Sequence, residues 1–434
     1  MIFSSTEKST FQVLLYCTVF LVGMLLMDPT KLPVTTVENN VSICQTTNAV
    51  RSILAQMVIG GSRLPDSTPA RIVINTQPVQ SALKSRFSGG TTQEDAEEFL
   101  TYLLNEVSGC GDLGAATLQQ PGASWSNPAI FMRGSSVQVC QCTNCNRSSD
   151  SVETPFFMLH ISLPKATAQD REAISDLVLN EITRAAPLDG DNLYNCSSCK
   201  AFHVGHKYNS IKTPPEILGV HLKRFSFDER TGRAEKIMTT VDIDNKITLH
   251  CSGGEAANYF LFSVVMHEGL GSKSGHYFSI CRCSGCAASE AVCNSSSSYA
   301  DRTEWRILDD GDVSEKTTLS DCMAQTMVKY PHSTPYIVFY AGSSSASPQP
   351  CPVCCDNGSR IMELARRVPP LPSTNQLPLR QGPAENNTAN APDSDPSCRE
   401  LIQQFLQGRS FVRLTQVWSH WMSCVYLLLP WTQV

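Results

Sequence analysis

The feature that most constrains the fold is a change in the spacing of apolar residues along the chain. In residues 46–58 and 92–107, apolar side chains recur at helical intervals, as in Val50, Ile53 and Leu54. Later runs rich in β-branched and aromatic residues predict strands: EILGVHLKRFSF, NYFLFSVVMH, HYFSICR and TPYIVFYA. Helices followed by strands predict an α+β fold with an antiparallel sheet rather than repeated βαβ units.

Composition limits the class of protein and the kind of partner. A chain of 434 residues, 41% of them hydrophobic, is long enough to bury a large core. The formal net charge of -6, without a basic stripe, argues against a nucleic-acid partner and favours a protein or small-molecule substrate. The 19 cysteines are odd in number and clustered, which is typical of metal-binding thiols in a reducing, cytoplasmic compartment rather than of a disulfide framework.

The two ends of the chain differ from the middle. Residues 1–35 form a predicted leader that contains an uncharged apolar segment, residues 11–27. This segment has three interpretations: a membrane anchor, a buried helix, or the core of a secretory signal. Residues 343–400 hold ten of the 25 prolines and lack an apolar period, so residues 343–434 are expected to form a flexible Pro/Ser-rich tail. The folded domain is therefore predicted to span residues 36–342.

Two C-x-x-C pairs indicate a metal site. Cys142 and Cys145 form the first pair, and Cys196 and Cys199 form the second. Each short turn can present two thiolates to one tetrahedral ion, so the four cysteines predict a structural zinc site between two hairpins. Unmetallated thiols are the alternative, and the adjacent Cys140 is a competing ligand.

A cysteine, a histidine and an acid are candidates for nucleophilic catalysis. Cys44 directly precedes the first predicted helix, where N–H groups stabilise a thiolate, although a lone cysteine in such a place is more often structural. His276 follows a glycine-containing loop and opens a strand, as a general base at a sheet edge would. Asp309 and Asp310 end a short apolar run and could supply the acid that orients the histidine.

The order of several motifs resembles the catalytic domain of the ubiquitin-specific proteases over residues 36–342. The segments are ICQTTNAVRSIL, QEDAEEFLTYLL, CTNC, YNCSSCK, PPEILGVHLKRFSFD, YFLFSVVMHEGLGSKSGHYFS and WRILDDGDV. The details LKRFSFDERTGRAEKI and YPHSTPYIVFY are most similar to the branch with the thirty-five and thirty-eight type members. The resemblance implies a papain-like cysteine peptidase fold with a helical thumb, an antiparallel-sheet palm and zinc-bearing β fingers.

The resemblance also implies roles for individual residues. Cys44 matches the nucleophile, His276 the general base and Asp309 the acid that orients it. Asp310 matches a position that assists the site, and Asn39 matches the amide that donates to the oxyanion. The implied reaction is thiol-dependent hydrolysis of the peptide or isopeptide bond after the C-terminal glycine of ubiquitin.

Five further residues match positions that bind the tail of ubiquitin: Gln93, Asp95, Glu98, Gly275 and Tyr277. Asp95 and Glu98 match acids that face arginines of that tail. Taken alone, the same acids favour a solvated first turn of a helix, where carboxylates are stabilised.

The nucleophile segment departs from the family pattern. The family has Gly-Asn-Thr-Cys-Tyr-x-Asn-Ser, whereas this chain has VSICQTTN. The main hypothesis is an active deubiquitinase, because the cysteine, oxyanion amide, base and acid keep their offsets. The alternatives are a weak or inactive ubiquitin-binding scaffold, and a secreted cysteine-rich binding protein.

Overall fold

The computed structural model describes most of the central region of the chain. The described residues are 46–56, 95–108, 128–150, 152–165, 171–228, 233–271, 274–282, 305–310, 312–315, 317–342, 366 and 368. The predicted leader and nearly all of the predicted tail therefore lie outside the described residues. Within the described part, no helix has the length and apolar character needed to span a membrane.

The two predicted helices come first and most strands follow, but two further helices, which the periodicity did not predict, lie among the strands. The helices are α1 (46–56), α2 (Ala96–Ser108), α3 (Ile174–Thr183) and α4 (Leu319–Lys329), with 3₁₀ turns at Pro128–Met132 and Gly190–Asn192. The strands are β1 (Gly134–Cys142), β2 (Ser148–Asp150), β3 (Thr154–Phe156), β4 (Met158–Ser162), β5 (Arg171–Ala173), β6 (Ala186–Leu188), β7 (Tyr194–Cys196), β8 (Ala201–His203), β9 (Gly205–Thr213), β10 (Ile217–Lys223), β11 (Phe225–Asp228), β12 (Arg233–Lys236), β13 (Thr240–Asp242), β14 (Lys246–His250), β15 (Ala256–Glu268), β16 (His276–Arg282), β17 (Trp305–Asp309), β18 (Asp312–Val313) and β19 (Thr334–Gly342).

The large sheet carries most of the predicted strands. Among the described residues it has eight strands in the order β18-β17-β16-β15-β19-β10-β4, with β14 also paired to β15. Its neighbouring strands are antiparallel except for β10 and β4, which run parallel. The predicted α+β class with an antiparallel sheet is thus confirmed, with one parallel pair at an edge.

The core lies along this sheet and the helices that cover it. Val264 of β15 and Val338 of β19 are fully buried, and Phe278 of β16 is fully buried near them. Ile174 of α3 and Cys322 of α4 belong to the same apolar cluster. Burying this much apolar area contributes roughly 25 cal/mol per Å² removed from water, so it is the main force that holds the sheet together.

Helix α2 presents the apolar face that its sequence predicts. Phe99, Leu103 and Val107 are fully buried. The helix begins at Ala96 rather than at residue 92, because the Asp95 side chain accepts hydrogen bonds from the backbone N–H groups of Glu97 at 2.8 Å and Glu98 at 3.3 Å. Asp95 is therefore the N-cap of the helix.

A second sheet carries the cysteine turns. In the described residues it has five strands, with the order β2-β1-β9-β6 and with β3 also on β1. The β7–β8 hairpin stands beside it and supplies the second C-x-x-C turn. Two turns that are far apart in sequence are thereby brought together.

Candidate active site

His276 and Asp309 meet at one end of neighbouring strands of the large sheet. His276 is the first residue of β16 and Asp309 the last residue of β17, and the two strands pair antiparallel through Ser279 and Leu308. The His276 Nε2 and Asp309 Oδ1 atoms are 2.6 Å apart. Because a carboxylate only accepts, Nε2–H is the donor and a neutral His276 keeps a lone pair on Nδ1. The pair has the geometry of a general base and its orienting acid.

The second oxygen of Asp309 has two further partners. Lys329 Nζ donates to Oδ2 at 2.6 Å, and the Tyr330 hydroxyl donates to the same oxygen at 2.7 Å. Burial by itself raises the pKa of Asp309, but the hydrogen bonds from His276, Lys329 and Tyr330 outweigh it and hold the pKa well below its ordinary value. These contacts therefore stabilise the ionised form of Asp309.

Lys329 and Tyr330 were not among the residues predicted from the sequence. They follow from helix α4, which the sequence analysis also did not identify. The start of this helix could have been found from the sequence, because threonine is a favoured N-cap residue and Thr318 precedes the apolar Leu319. In the structure, the Thr318 side chain accepts a hydrogen bond from the Asp321 N–H at 3.0 Å. The apolar residues Leu319 and Cys322 then lie on the buried face of the helix.

The loop before His276 is fixed at both ends. Gly275 has φ +154°, and a Cβ on it would lie 2.2 Å from the Glu268 carbonyl oxygen and 2.5 Å from His267 Nε2. At the other end, the Lys236 ammonium donates to the carbonyls of His267 and Gly269 at 2.9 Å and 2.7 Å. Gly275 is thus needed for close backbone packing, and the loop presents His276 from a fixed base.

The other histidine of this region belongs to the core. His267 is 1% exposed, and its ring contacts Phe225, Tyr277 and Tyr336 with centroids 5.4, 4.7 and 6.0 Å away. Burial, with Lys236 and His276 nearby, lowers the pKa of His267 to about 3. The ring therefore stays neutral, and this position is structural, whereas His276 lies at the partly exposed end of β16, a strand that is paired on both sides.

The residues predicted to bind the substrate tail have different surroundings. Asp95 caps α2 with one oxygen and accepts a hydrogen bond from the Tyr336 hydroxyl with the other. Glu98 is exposed, whereas Tyr277 is buried against His267 and Tyr336. Asp95 thus joins α2 to the large sheet, and its contact with a ubiquitin tail stays a prediction.

Of the other predicted site residues, three lie outside the described part of the chain and one directly follows Asp309. Cys44, Asn39 and Gln93 lie outside the described residues. Helix α1 is described from residue 46, two positions after Cys44 in the sequence. Asp310 directly follows Asp309 and adopts a left-handed backbone conformation with φ 53°. This conformation turns the chain sharply between β17 and β18.

The four predicted metal-binding cysteines come together. One sulfur from each of Cys142, Cys145, Cys196 and Cys199 lies within 4.8 Å of the others. This tetrathiol cluster could hold a metal ion, and its donor set fits a tetrahedral soft cation. Cys140, the competing candidate, is not part of the group.

The two cysteine turns have the same backbone structure. Asn146 N–H donates to the Cys142 carbonyl at 2.9 Å, and Lys200 N–H donates to the Cys196 carbonyl at 2.8 Å. Asn146 and Lys200 each follow the second cysteine and have φ 56° and φ 55°. Backbone N–H groups, chiefly that of Cys199, lower the pKa of the Cys196 thiol to about 7. For Cys145, the backbone hydrogen bond with Arg147 lowers the pKa, but burial and the neighbouring thiols outweigh it and raise the pKa to about 11. What the matching turns share is geometry, because they direct the four sulfur atoms to a common centre.

The chain has sequence relatives among the ubiquitin carboxyl-terminal hydrolases. Relatives include a probable ubiquitin carboxyl-terminal hydrolase 9 of Schizosaccharomyces pombe, 25% identical over 324 residues that cover 73% of this chain and 50% of the relative. Ubiquitin carboxyl-terminal hydrolase 35 of Homo sapiens is 31% identical over 182 residues, 42% of this chain and 18% of the relative. The chain thus spans about half the length of the first relative and less of the second.

Solved structures agree on the fold. The SAGA Ubp8/Sgf11/Sus1/Sgf73 DUB module bound to ubiquitin aldehyde has a chain that aligns with a TM-score of 0.55 and 18% identity, covering 79% of this chain and 68% of that one. The predicted papain-like fold with thumb, palm and fingers is confirmed at this level. The large sheet corresponds to the palm, and the five-stranded sheet with the tetrathiol cluster corresponds to the fingers.

The family profile gives the broadest match. The profile of the ubiquitin carboxyl-terminal hydrolases, UCH, matches residues 8–340. This match extends upstream of residue 36, and the domain bounds of residues 36–342 stay a prediction. The segment of residues 11–27 lies within it. The chain belongs to the ubiquitin carboxyl-terminal hydrolase family.

Proposed function

We propose that the protein is a thiol-dependent deubiquitinase that hydrolyses the peptide or isopeptide bond after the C-terminal glycine of ubiquitin. The observation that carries the proposal is the His276–Asp309 pair, with Nε2 and Oδ1 2.6 Å apart, in a chain of this family. The pair leaves Nδ1 of His276 to take a proton from a nucleophile. Cys44 is the proposed nucleophile.

The proposed reaction proceeds in two halves. His276 takes the Cys44 proton, the thiolate attacks the glycine carbonyl carbon, and Asn39 donates a hydrogen bond to the oxyanion. The C–N bond then breaks, His276 gives its proton to the departing lysine amine, and a thioester remains. Next, His276 takes a proton from water, the hydroxide attacks the thioester, and ubiquitin leaves with a free carboxylate while Cys44 regains its proton.

The proposed substrate tail lies between α2 and the loop before His276. Glu98 is exposed on the first turn of α2, so it is placed to pair with a cationic side chain of the tail. The related SAGA DUB module is bound to ubiquitin aldehyde, which supports ubiquitin as the partner of this chain. Gln93 and Gly275 are proposed to contact the tail backbone.

The tetrathiol cluster is proposed to bind structural zinc. Four thiols in two matching turns are the donor set that zinc takes in closed structural sites. Zinc bound there would fasten the β7–β8 hairpin to the end of β1, and it would take no part in the reaction. A reducing, cytoplasmic compartment is proposed because the cluster requires free thiols, which these cysteines are in the structure.

A ubiquitin-binding scaffold of low or no activity is the second candidate. The observation that favours it is the changed segment around Cys44, which lacks the glycine, asparagine and aromatic residue of the family pattern. Such a protein would bind ubiquitin through the same surfaces without forming a thioester.

A ubiquitin with a C-terminal electrophile separates these candidates. The active enzyme is expected to form a covalent adduct, detected by intact mass under reducing conditions, and Cys44→Ala is expected to form none. Cys140→Ser is the matched control, because Cys140 is a free, half-buried cysteine outside the tetrathiol cluster. It is expected to react like the wild type.

The outcomes are distinct. Binding of ubiquitin in calorimetry without adduct formation would support the scaffold and reject the enzyme. An adduct that persists in Cys44→Ala would place the nucleophile elsewhere.

A further inference from the structure

A second group of metal-binding side chains lies at the parallel edge of the large sheet. His160 of β4 and His221 of β10 are register partners across the parallel pair, so their side chains project on the same face. Glu97 of α2 approaches that face. One donor atom from each of the three residues lies within 4.8 Å of the other two. We call Glu97, His160 and His221 the histidine–glutamate cluster.

The distances in this cluster approach those of a coordination sphere. His160 Nδ1 and His221 Nδ1 are 3.0 Å apart, and one oxygen of Glu97 lies within 4.8 Å of a nitrogen of each histidine. Ligand atoms about 2.0–2.2 Å from a tetrahedral ion are separated by roughly 3.3 Å. Two imidazoles and one carboxylate are a donor set that zinc uses when a water completes the sphere. The two histidine nitrogens are already close to this separation, so the Glu97 carboxylate is the ligand that has to move closer.

Other contacts hold the ligands in this orientation. The Thr101 hydroxyl donates to Glu97 Oε1 at 2.8 Å, which restrains the carboxylate. The His221 ring packs edge-on against Tyr336 with centroids 4.9 Å apart. Neighbours that orient a ligand raise metal affinity because they reduce the entropy lost on binding.

Exposure within the cluster permits an ion to enter. His221 is 8% exposed, whereas the side chains of His160 and Glu97 are 44% and 18% exposed. An ion would therefore have one buried ligand and an open side towards water. The cluster is separate from the tetrathiol cluster, which lies on other strands and contains other residues.

We propose that Glu97, His160 and His221 bind one divalent cation of the zinc class. The ion joins the first turns of α2 to β4 and β10, so it fastens the helix that carries Asp95 and Glu98 to the large sheet. This inference does not depend on the proposed enzymatic activity, because binding of the ion requires neither Cys44 nor a substrate.

Metal content of the purified full chain tests the proposal. The protein is equilibrated with micromolar free Zn²⁺, freed of excess ion and measured by plasma mass spectrometry. His160→Ala is expected to bind one equivalent of zinc less than the wild type. Cys199→Ser removes a ligand of the tetrathiol cluster, and adding His160→Ala to that variant is expected to lower its zinc content by one equivalent as well. His250→Ala is the matched control, since it removes an exposed histidine that belongs to neither cluster.

Thermal unfolding gives a second readout. In the Cys199→Ser background, added Zn²⁺ is expected to raise the midpoint temperature, and His160→Ala is expected to abolish that increase. His160 is exposed, so its replacement leaves the core intact, and far-UV circular dichroism confirms folding. Equal zinc content in the wild type and His160→Ala would overturn the proposal whatever the activity assay gives.

Discussion

The two carboxylate oxygens of Asp309 accept hydrogen bonds from different side chains. Oδ1 orients His276, and Oδ2 accepts from Lys329 and Tyr330. Because both oxygens are held, the carboxylate cannot rotate without breaking a charge-assisted hydrogen bond. In the proposed reaction, Lys329 and Tyr330 are therefore expected to be positioning residues that act through Asp309.

Substitutions of Asp309 and of its hydrogen-bond donors are expected to lower kcat/KM by different factors. Asp309→Asn removes the orienting charge and is expected to lower kcat/KM by about 10²–10⁴-fold. Lys329→Met is expected to cost about fivefold at most, since the Lys329 side chain is 57% exposed and solvent screens its charge. Tyr330→Phe loses one hydroxyl donor and is expected to cost about fivefold. A fluorogenic ubiquitin substrate measures these values.

The pH dependence of kcat/KM distinguishes a positioning role of Lys329 from a packing role. Lys329 donates one of the hydrogen bonds that lower the pKa of Asp309, so Lys329→Met raises that pKa and the acidic limb of the kcat/KM profile is expected to move to higher pH. Lys329→Arg keeps the charge and is expected to restore the wild-type limb. A profile of Lys329→Met that coincides with the wild type would mean that Lys329 only packs.

At the scale of elements, the β15–β16 connection determines where His276 stands. The Lys236 ammonium holds one end of this loop through backbone carbonyls, and Gly275 packs against Glu268 and His267 at the other. These contacts hold the described ends of the loop, the second of which is next to His276. Its glycine content permits both the sharp turn and the close approach.

Gly275→Ala is expected to displace this loop. The new Cβ would lie 2.2 Å from the Glu268 carbonyl oxygen, so the backbone must move and His276 moves with it. A shift of about 1 Å costs on the order of 10²-fold, which is the loss of kcat/KM expected here. Gly253→Ala is the matched control, because Gly253 has φ +98° but no atom within 4 Å of the added Cβ. Equal activity of the two variants would refute the steric argument.

At the scale of the whole molecule, stability depends on keeping polar groups neutral or paired inside the sheet. His267 is 1% exposed and neutral, and Arg224, 1% exposed, donates to the carbonyls of Pro335, Ile237 and Thr239 at 2.8, 3.0 and 2.8 Å. Burial lowers the pKa of Arg224 to about 10, so it stays charged at neutral pH. These contacts join β19 to the segment after β12.

Stability is expected to fall as pH decreases below about 6.5, the ordinary pKa of histidine. The folded pKa of His267 is about 3, so between these values the unfolded chain binds a proton that the folded chain does not. The free energy of unfolding should lose about 1.4 kcal/mol per pH unit from this residue. Urea unfolding at several pH values is expected to give a smaller slope for His267→Gln.

A control accompanies that comparison. His250→Gln is expected to keep the wild-type slope, because His250 remains exposed to water when the chain folds. Identical slopes for wild type and His267→Gln would show that His267 becomes protonated inside the fold.

The sequence by itself determined the fold class, the four strands β10, β15, β16 and β19, and the pairing of the two C-x-x-C turns. Those features follow from local periodicity and ligand spacing, which are properties of short segments. It also indicated His276 and Asp309 through their places at strand ends. The α2 start was misjudged, because the Asp95 cap depends on backbone geometry that periodicity does not encode.

Only the tertiary structure decided which side chains share an oxygen or a coordination sphere. Lys329 and Tyr330 reach Asp309 across about 20 positions of sequence, and Glu97 reaches His160 from another element. The different surroundings of the two histidines that flank the loop also appear only in the fold, where His267 is buried in the core and His276 lies at the partly exposed end of β16. Such contacts depend on strand order and helix packing, which arise from the burial of the whole apolar surface rather than from any one segment.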